Sequence, residues 1–211
     1  MEHWTQPKPA ENSFITGLKV KNTLTSEKLV DFIPINGKKI NWYVCGPTVY
    51  SKSHLGHAKA YISGDMLRRV LENYFGYDVQ QVMNITDIDD KIIIRSNELK
   101  EEFDSFAKRQ EESFWNDMAR LNIKLPDEIV RVSEYIEEII AYIQKIIENG
   151  YAYESNGSVY FSIPDFTQKG CFHYGKLDPS AVNDEELLKE GEGSLANTTT
   201  GDKKSPKDFA L

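Results

Sequence analysis

The pattern that most restricts the fold is a strand, an amphipathic helix and a second strand, with no hairpin turn between them. "KKINWYVCG" combines β-branched and aromatic residues and stops at Gly46-Pro47, which reads as a buried strand ending in a turn. Leu55, Ala58, Ile62, Met66, Val70 and Tyr74 then recur at helical spacing, with Leu67 and Leu71 widening the stripe, up to Gly76. "YDVQQVMNIT" reads as the second strand. Strand, helix and strand within about 45 residues predict a right-handed βαβ unit of a parallel sheet, so the fold class is α/β. Ligands of such sheets bind beyond the carboxyl ends of the strands, here the ends carrying Cys45-Gly46 and Asn84-Ile85-Thr86-Asp87.

Beyond this unit, "DIDDKIIIRS" leads into a long helix with Phe103, Phe106, Ala107, Phe114, Met118 and Leu121 on one face, closed by "NIKLPDE". Asp87, Asp89 and Asp90 lack the glycine and distal glutamate of a calcium loop and are expected to cap the helix that starts there. A further helix is expected from Ser133 to Glu148, with Tyr135, Ile136, Ile139, Ile140, Ile143 and Ile147 turned inward. The hairpin "YAYESNGSVYFSI" follows, because Asn156-Gly157 accepts a type I′ turn. Asp178 to Lys207 is polar and without apolar spacing, a solvated loop, and "DFAL" turns apolar again.

Composition excludes several classes. The 211 residues are 40% hydrophobic and 27% charged, ordinary material for one domain or one and a half. No stretch approaches the length of a membrane span, and "MEHWTQPKPAENS" has no basic region followed by an apolar run, so no secretory signal is expected and the tail should be mobile. Cys45 and Cys171 are too few for a disulfide framework and fit a reducing compartment. A net charge of −8 argues against gripping nucleic acid by broad phosphate neutralisation.

"HLGH", residues 54 to 57, carries the chemistry. At the first turn of a helix the free N–H groups and the dipole favour a phosphate, and imidazoles three residues apart share a face from which both can donate to its oxygens. Gly56 presents no side chain against a flat adenine or ribose. The alternatives are that the histidines only cap or solvate the helix start, or form a metal site with Cys45. Cys45 on its own reads first as a small core hydrophobe. Cys171 and His173 stand close together, but no ligand spacing completes a metal site around them.

"YVCGPTVY", "HLGHAKAY" and "MNITDIDDKI" together resemble the cysteinyl-tRNA synthetases, a family of class I aminoacyl-tRNA synthetases. "RVSEYIEEI", "NGYAYESNGSVYF", "YGKLDP", "EGEG" and "SPKDFAL" follow in the order of the eukaryotic cytosolic form, so the resemblance covers nearly everything after residue 17. It implies ATP-dependent activation of L-cysteine through cysteinyl adenylate and transfer to tRNA(Cys), in the cytoplasm and away from any membrane. By the resemblance, Cys45 matches a thiolate ligand of the family's zinc, which binds the substrate through its sulfur. Gly46 and Thr86 match positions that contact the substrate cysteine. Thr48, His54, Gly56 and His57 belong to the segment that holds ATP, taken with magnesium as a substrate, and the two histidines carry the catalytic role. Lys91 falls where the family often carries Lys-Ile-Ile-Lys; Ile94 departs from that pattern, and no role is carried over to it.

The resemblance further implies a mobile tail over 1–17, the first part of a Rossmann-like catalytic domain over 18–122, and an inserted helix-plus-hairpin connective peptide domain over 123–204 with a flexible loop at 178–204. Residues 205–211 would begin the return to the catalytic domain. The family's lysine loop, remaining zinc ligands and anticodon-binding region are not in these residues, so the chain reads as the N-terminal piece of a longer synthetase. Alone it is expected to be inactive and prone to self-association through an open sheet edge. Nucleotidylyltransferases and cysteine ligases use the same histidine pair and lack transfer to tRNA; a truncated binding module is the non-enzymatic alternative.

Overall fold

The computed structural model describes residues 6, 8–25, 28–169, 172–177 and 202–211. Cys171 and residues 178–201 of the expected polar loop lie outside the described residues. In chain order the elements are β1 (Lys19–Asn22), β2 (Lys28–Asp31), β3 (Lys39–Val44), α1 (Leu55–Arg69), β4 (Asp78–Ile85), α2 (Asp90–Leu99) and α3 (Phe103–Arg120). There follow β5 (Glu128–Arg131), α4 (Ile136–Glu148), β6 (Ala152–Ser155), β7 (Ser158–Phe161), α5 (Ile163–Lys169) and β8 (Phe209–Ala210). They fall into two compact units, one of Lys8–Leu18 with Phe32–Tyr135, the other of Met1–Pro7, Lys19–Asp31 and Ile136–Leu211. No described helix is long and apolar enough to cross a membrane.

The first unit contains the expected parallel pairing. β3 and β4 run parallel, Lys39 opposite Asp78 through Val44 opposite Met83, and β4 pairs in parallel with β5 on its other side. The sheet order is β3-β4-β5. β5 is absent from the sequence reading, because four residues after Pro126 are too short a run to stand out from the turn before them. Alternation along β4 buries Val79, Gln81, Met83 and Ile85. Met83 and Ile85 join Val49, Ile92, Phe106, Ala107, Phe114 and Met118 in the main core, so α3 turns its expected apolar face to the sheet. Leu121, expected on that face, is exposed. A second cluster gathers Ile40, Tyr77 and Val79, with Phe14 packed edge-on to Tyr77 and the Thr16 hydroxyl 2.9 Å from the Tyr77 phenol. Phe14 and Thr16 belong to the segment read as a tail.

Only part of the apolar stripe predicted for α1 turns inward, with Leu71 packed against the Ile40, Tyr77 and Val79 cluster. Leu55, Met66, Leu67, Val70 and Tyr74 are exposed, whereas Arg68 is 3% exposed. The Arg68 guanidinium donates to Glu72 (2.9 Å), to Asp127 (2.8 Å) and to the Leu125 carbonyl (3.0 Å). Arg69 and the Lys124 amide share Asp65 in the same way. The inner face is therefore an ion-pair network that ties α1 to the chain before β5, and a hydrophobicity pattern is blind to it. The helix continues through a π-helical turn, Val70–Tyr74, and stops at Gly76, whose φ of +71° suits glycine.

In the second unit β6 and β7 form the expected hairpin, with Asn156 and Gly157 both at positive φ (50° and 83°) as a type I′ turn requires. β8 adds to β7, so Phe209 and Ala210, within the residues expected to begin the return to the catalytic domain, lie on the hairpin sheet. Buried Asp208 accepts from the Ile163 and Ser205 amides and the Tyr153 hydroxyl. Tyr160 is core, and Phe161 stacks on Phe209. α4 starts at Ile136 rather than Ser133, and no residue along it is buried; Ile140, expected inside, is 60% exposed.

Candidate active site

The carboxyl end of the parallel sheet is built by two strands that continue to pair past their ends. The Val49 amide donates to the Thr86 carbonyl and the Thr86 amide to the Pro47 carbonyl, both at 3.1 Å, which sets Thr48 beside Thr86. Between these pairings and β3 lies the turn Cys45-Gly46. A Cβ on Gly46 would stand 1.6 Å from the Asn84 carbonyl oxygen, so the close approach of the two backbones requires glycine there. The Tyr61 hydroxyl, from α1, donates to the Cys45 carbonyl at 3.2 Å. Burial, followed by the neighbouring Cys45, pushes the Tyr61 phenol up to about 12.

At the start of α1 the two histidines cap the helix reciprocally. His54 is the N-cap: its Nδ1 accepts from the Gly56 amide at 3.0 Å, while His57 Nδ1 accepts from the His54 amide at 3.2 Å. A nitrogen that accepts carries no hydrogen, so each neutral ring bears its hydrogen on Nε2. The rings stack with centroids 3.9 Å apart. Burial, and then His54, hold His57 below its ordinary range, which favours the neutral ring that the cap needs. The result is a helix N-terminus with two Nε2–H donors on top of its own amides, an arrangement suited to anionic oxygens. Tyr61 joins this element to the turn, its ring lying near-parallel to His57 with centroids 6.5 Å apart.

A separate cleft of about 680 Å³, walled by Phe103, Trp115 and Arg131 among others, contains none of these groups. The Arg131 charge is answered there by Glu111 at 2.8 Å and Glu134 at 3.1 Å.

A family model of the tRNA synthetases class I (C) catalytic domain matches residues 31–211. The chain belongs to that family. Among curated synthetase relatives, it is 49% identical to the cytoplasmic cysteine–tRNA ligase of Dictyostelium discoideum, over 99% of this chain and 31% of the relative. It is 37% identical to the Mus musculus and 36% identical to the Homo sapiens enzymes of the same name, over 92% of this chain and 35% and 39% of those proteins. The chain thus spans roughly a third of the length of these synthetases.

For this class I synthetase segment, the structure brings Cys45, Gly46, Thr48 and Thr86 together at the strand ends and His54, Gly56 and His57 together at the helix start. Cys45 is exposed, which removes the reading of a small core hydrophobe. Asp89 caps α2 by accepting from the Lys91 amide at 2.8 Å, as expected, whereas Asp87 is bonded to the amide and hydroxyl of Ser133. Among the described residues no three His, Cys, Asp or Glu side chains stand together as a metal group. A tetrahedral zinc site takes four ligands, so Cys45 does not make one by itself. Sequence reasoning missed Tyr61, and placed Asn84 at the ligand end of its strand without giving it a role. The signal available for Asn84 was a short amide near the end of a strand, where such residues are disfavoured.

Proposed function

We propose that the full-length protein carrying these residues activates L-cysteine with Mg-ATP and attaches it to tRNA(Cys). The observation that carries this reading is the histidine pair whose Nδ1 atoms are both engaged in the cap, leaving two Nε2–H donors at the start of α1, which Tyr61 ties to the Cys45-Gly46 turn. The names of the relatives support it. The cysteine carboxylate attacks the α-phosphorus; an O–P bond forms and the bond to the leaving pyrophosphate breaks. No general base is required, and His54, His57 and the helix amides position the phosphates and stabilise the developing charge, with Gly56 leaving room for the nucleotide and Thr48 in the same ATP-holding segment. A hydroxyl of the terminal adenosine of the tRNA then takes the aminoacyl group and AMP leaves. Gly46 and Thr86 contact the amino acid.

Cys45 is proposed as one thiolate ligand of zinc, with no step of this reaction derived through the metal. A sulfur-seeking ion beside the amino acid would favour a thiol over a hydroxyl. The helix-plus-hairpin part of 123–204 is proposed as the connective peptide insertion, although β5 within that range pairs into the parallel sheet. Residues 18–122 are proposed as the first part of the catalytic domain, against which Phe14 and Thr16 of the 1–17 segment pack. The cytoplasm is the proposed compartment, and the unpaired edge of β3 is a route to self-association in the isolated chain.

The test is charging of tRNA(Cys) by the full-length protein with cysteine or serine. Cysteine should be attached and serine rejected. Adenylate formation without transfer to tRNA would favour a cysteine ligase, and equal charging by serine would remove the role given to Cys45.

A further inference from the structure

Asn84 is bonded to two of the residues that the reading above places on the amino acid. Its Oδ1 accepts from the Gly46 amide and from the Tyr43 hydroxyl, each at 2.9 Å, and its Nδ2 donates to Thr86 Oγ1 at 3.3 Å. Both lone-pair directions of the amide oxygen are thereby occupied, together with one of its two N–H groups. For Thr86 the consequence is directional. A hydroxyl that accepts from Asn84 keeps its own hydrogen to donate elsewhere, and the strand-end pairings already use the Thr86 backbone N–H and carbonyl. Tyr43, held by the same oxygen, lies 3.8 Å from Cys45 Sγ.

We propose that Asn84 is the positioning residue of the amino-acid subsite: it commits the Thr86 hydroxyl to donate toward the substrate and fixes the Gly46 turn beside it, without touching the substrate itself. This rests on the cysteine-activating reading. Asn84→Asp separates positioning from mere stapling of β4 to the turn. Aspartate has nearly the same shape and keeps an acceptor for the Gly46 amide and the Tyr43 hydroxyl. It replaces the N–H facing Thr86 with an oxygen, so the Thr86 hydrogen turns toward the carboxylate and is withdrawn from the substrate.

The experiment is cysteine-dependent exchange between pyrophosphate and ATP by the full-length protein, with thermal unfolding of each variant. N84D should raise KM for cysteine roughly tenfold or more while KM for ATP moves less than about twofold. In a Thr86→Val background N84D should add less than about twofold, because the two residues act as one unit. An unchanged cysteine KM in N84D, or effects that add fully to those of T86V, would overturn the inference. So would a parallel rise in both KM values with a lowered Tm, the signature of a staple. If N84D does not fold, Asn84→Ser is read by the same split. A wild-type protein with no cysteine-dependent exchange overturns the reading beneath, and this inference with it; an active wild type with a normal N84D overturns this inference alone.

Discussion

Gly46 and Gly56 sit in the same motif region for different physical reasons. At Gly46 an added Cβ would meet the Asn84 backbone oxygen at 1.6 Å, and backbone on both sides has little freedom to yield. At Gly56 it would meet only the His54 ring, at 2.8 Å. Gly46→Ala should therefore lower stability by about 1–3 kcal/mol or more, read from the urea midpoint; an unmoved midpoint would contradict the close approach. His57 gives a pH dependence whose sign is fixed. Burial and then His54 set its folded value below the ordinary 6.5, so the unfolded chain binds more protons as pH falls. The stability it contributes is present above 6.5 and is lost as pH falls through the folded value. Urea unfolding between about pH 7.5 and about pH 5 should show that loss, and His57→Gln, which has no titrating ring, should flatten it; equal slopes would contradict the assignment. The histidine pair is legible from sequence because a cap is local, spanning three residues. Tyr61 to Cys45 and Gly46 to Asn84 bridge 16 and 38 positions, and no local pattern marks them.

β3 and β4 were legible for a similar reason, unlike the short β5. β3 and β4 are runs of β-branched and aromatic residues bounded by turns, and their parallel pairing follows from the helix between them. Helices exist where periodicity places them, yet their inward faces depend on partners that periodicity does not see. α3 packs its apolar side on the sheet, whereas α1 packs Arg68 and Asp65 inward and leaves Met66, Val70 and Tyr74 outside. α4 shows the same limit: its isoleucine face has the right spacing and no buried residue. Arg68 therefore has a testable weight. Its side chain is 4% exposed against Glu72 at 18% and Asp127 at 44%, so water screens part of the loss when it is removed. Arg68→Met should cost about 2–3 kcal/mol by denaturant unfolding, less than a fully buried pair would; a change within about 0.5 kcal/mol would mean that α1 is held by something else.

For the molecule as a whole, the parallel sheet brings Cys45, Gly46, Thr48 and Thr86 together at one end, and Cys45 is the one residue of the chain proposed as a zinc ligand. Elemental analysis of the purified 211-residue chain should find less than one zinc per chain, since a structural site normally takes four ligands; stoichiometric zinc would show that the site is built elsewhere in these residues. The central claim is that the imidazoles capping α1 hold ATP while it reacts with cysteine. Its most direct test is cysteine-dependent pyrophosphate–ATP exchange by the full-length protein and its His57→Ala variant. Loss of a preorganised donor should lower exchange by about 10²–10³-fold; undiminished exchange in His57→Ala would contradict the account.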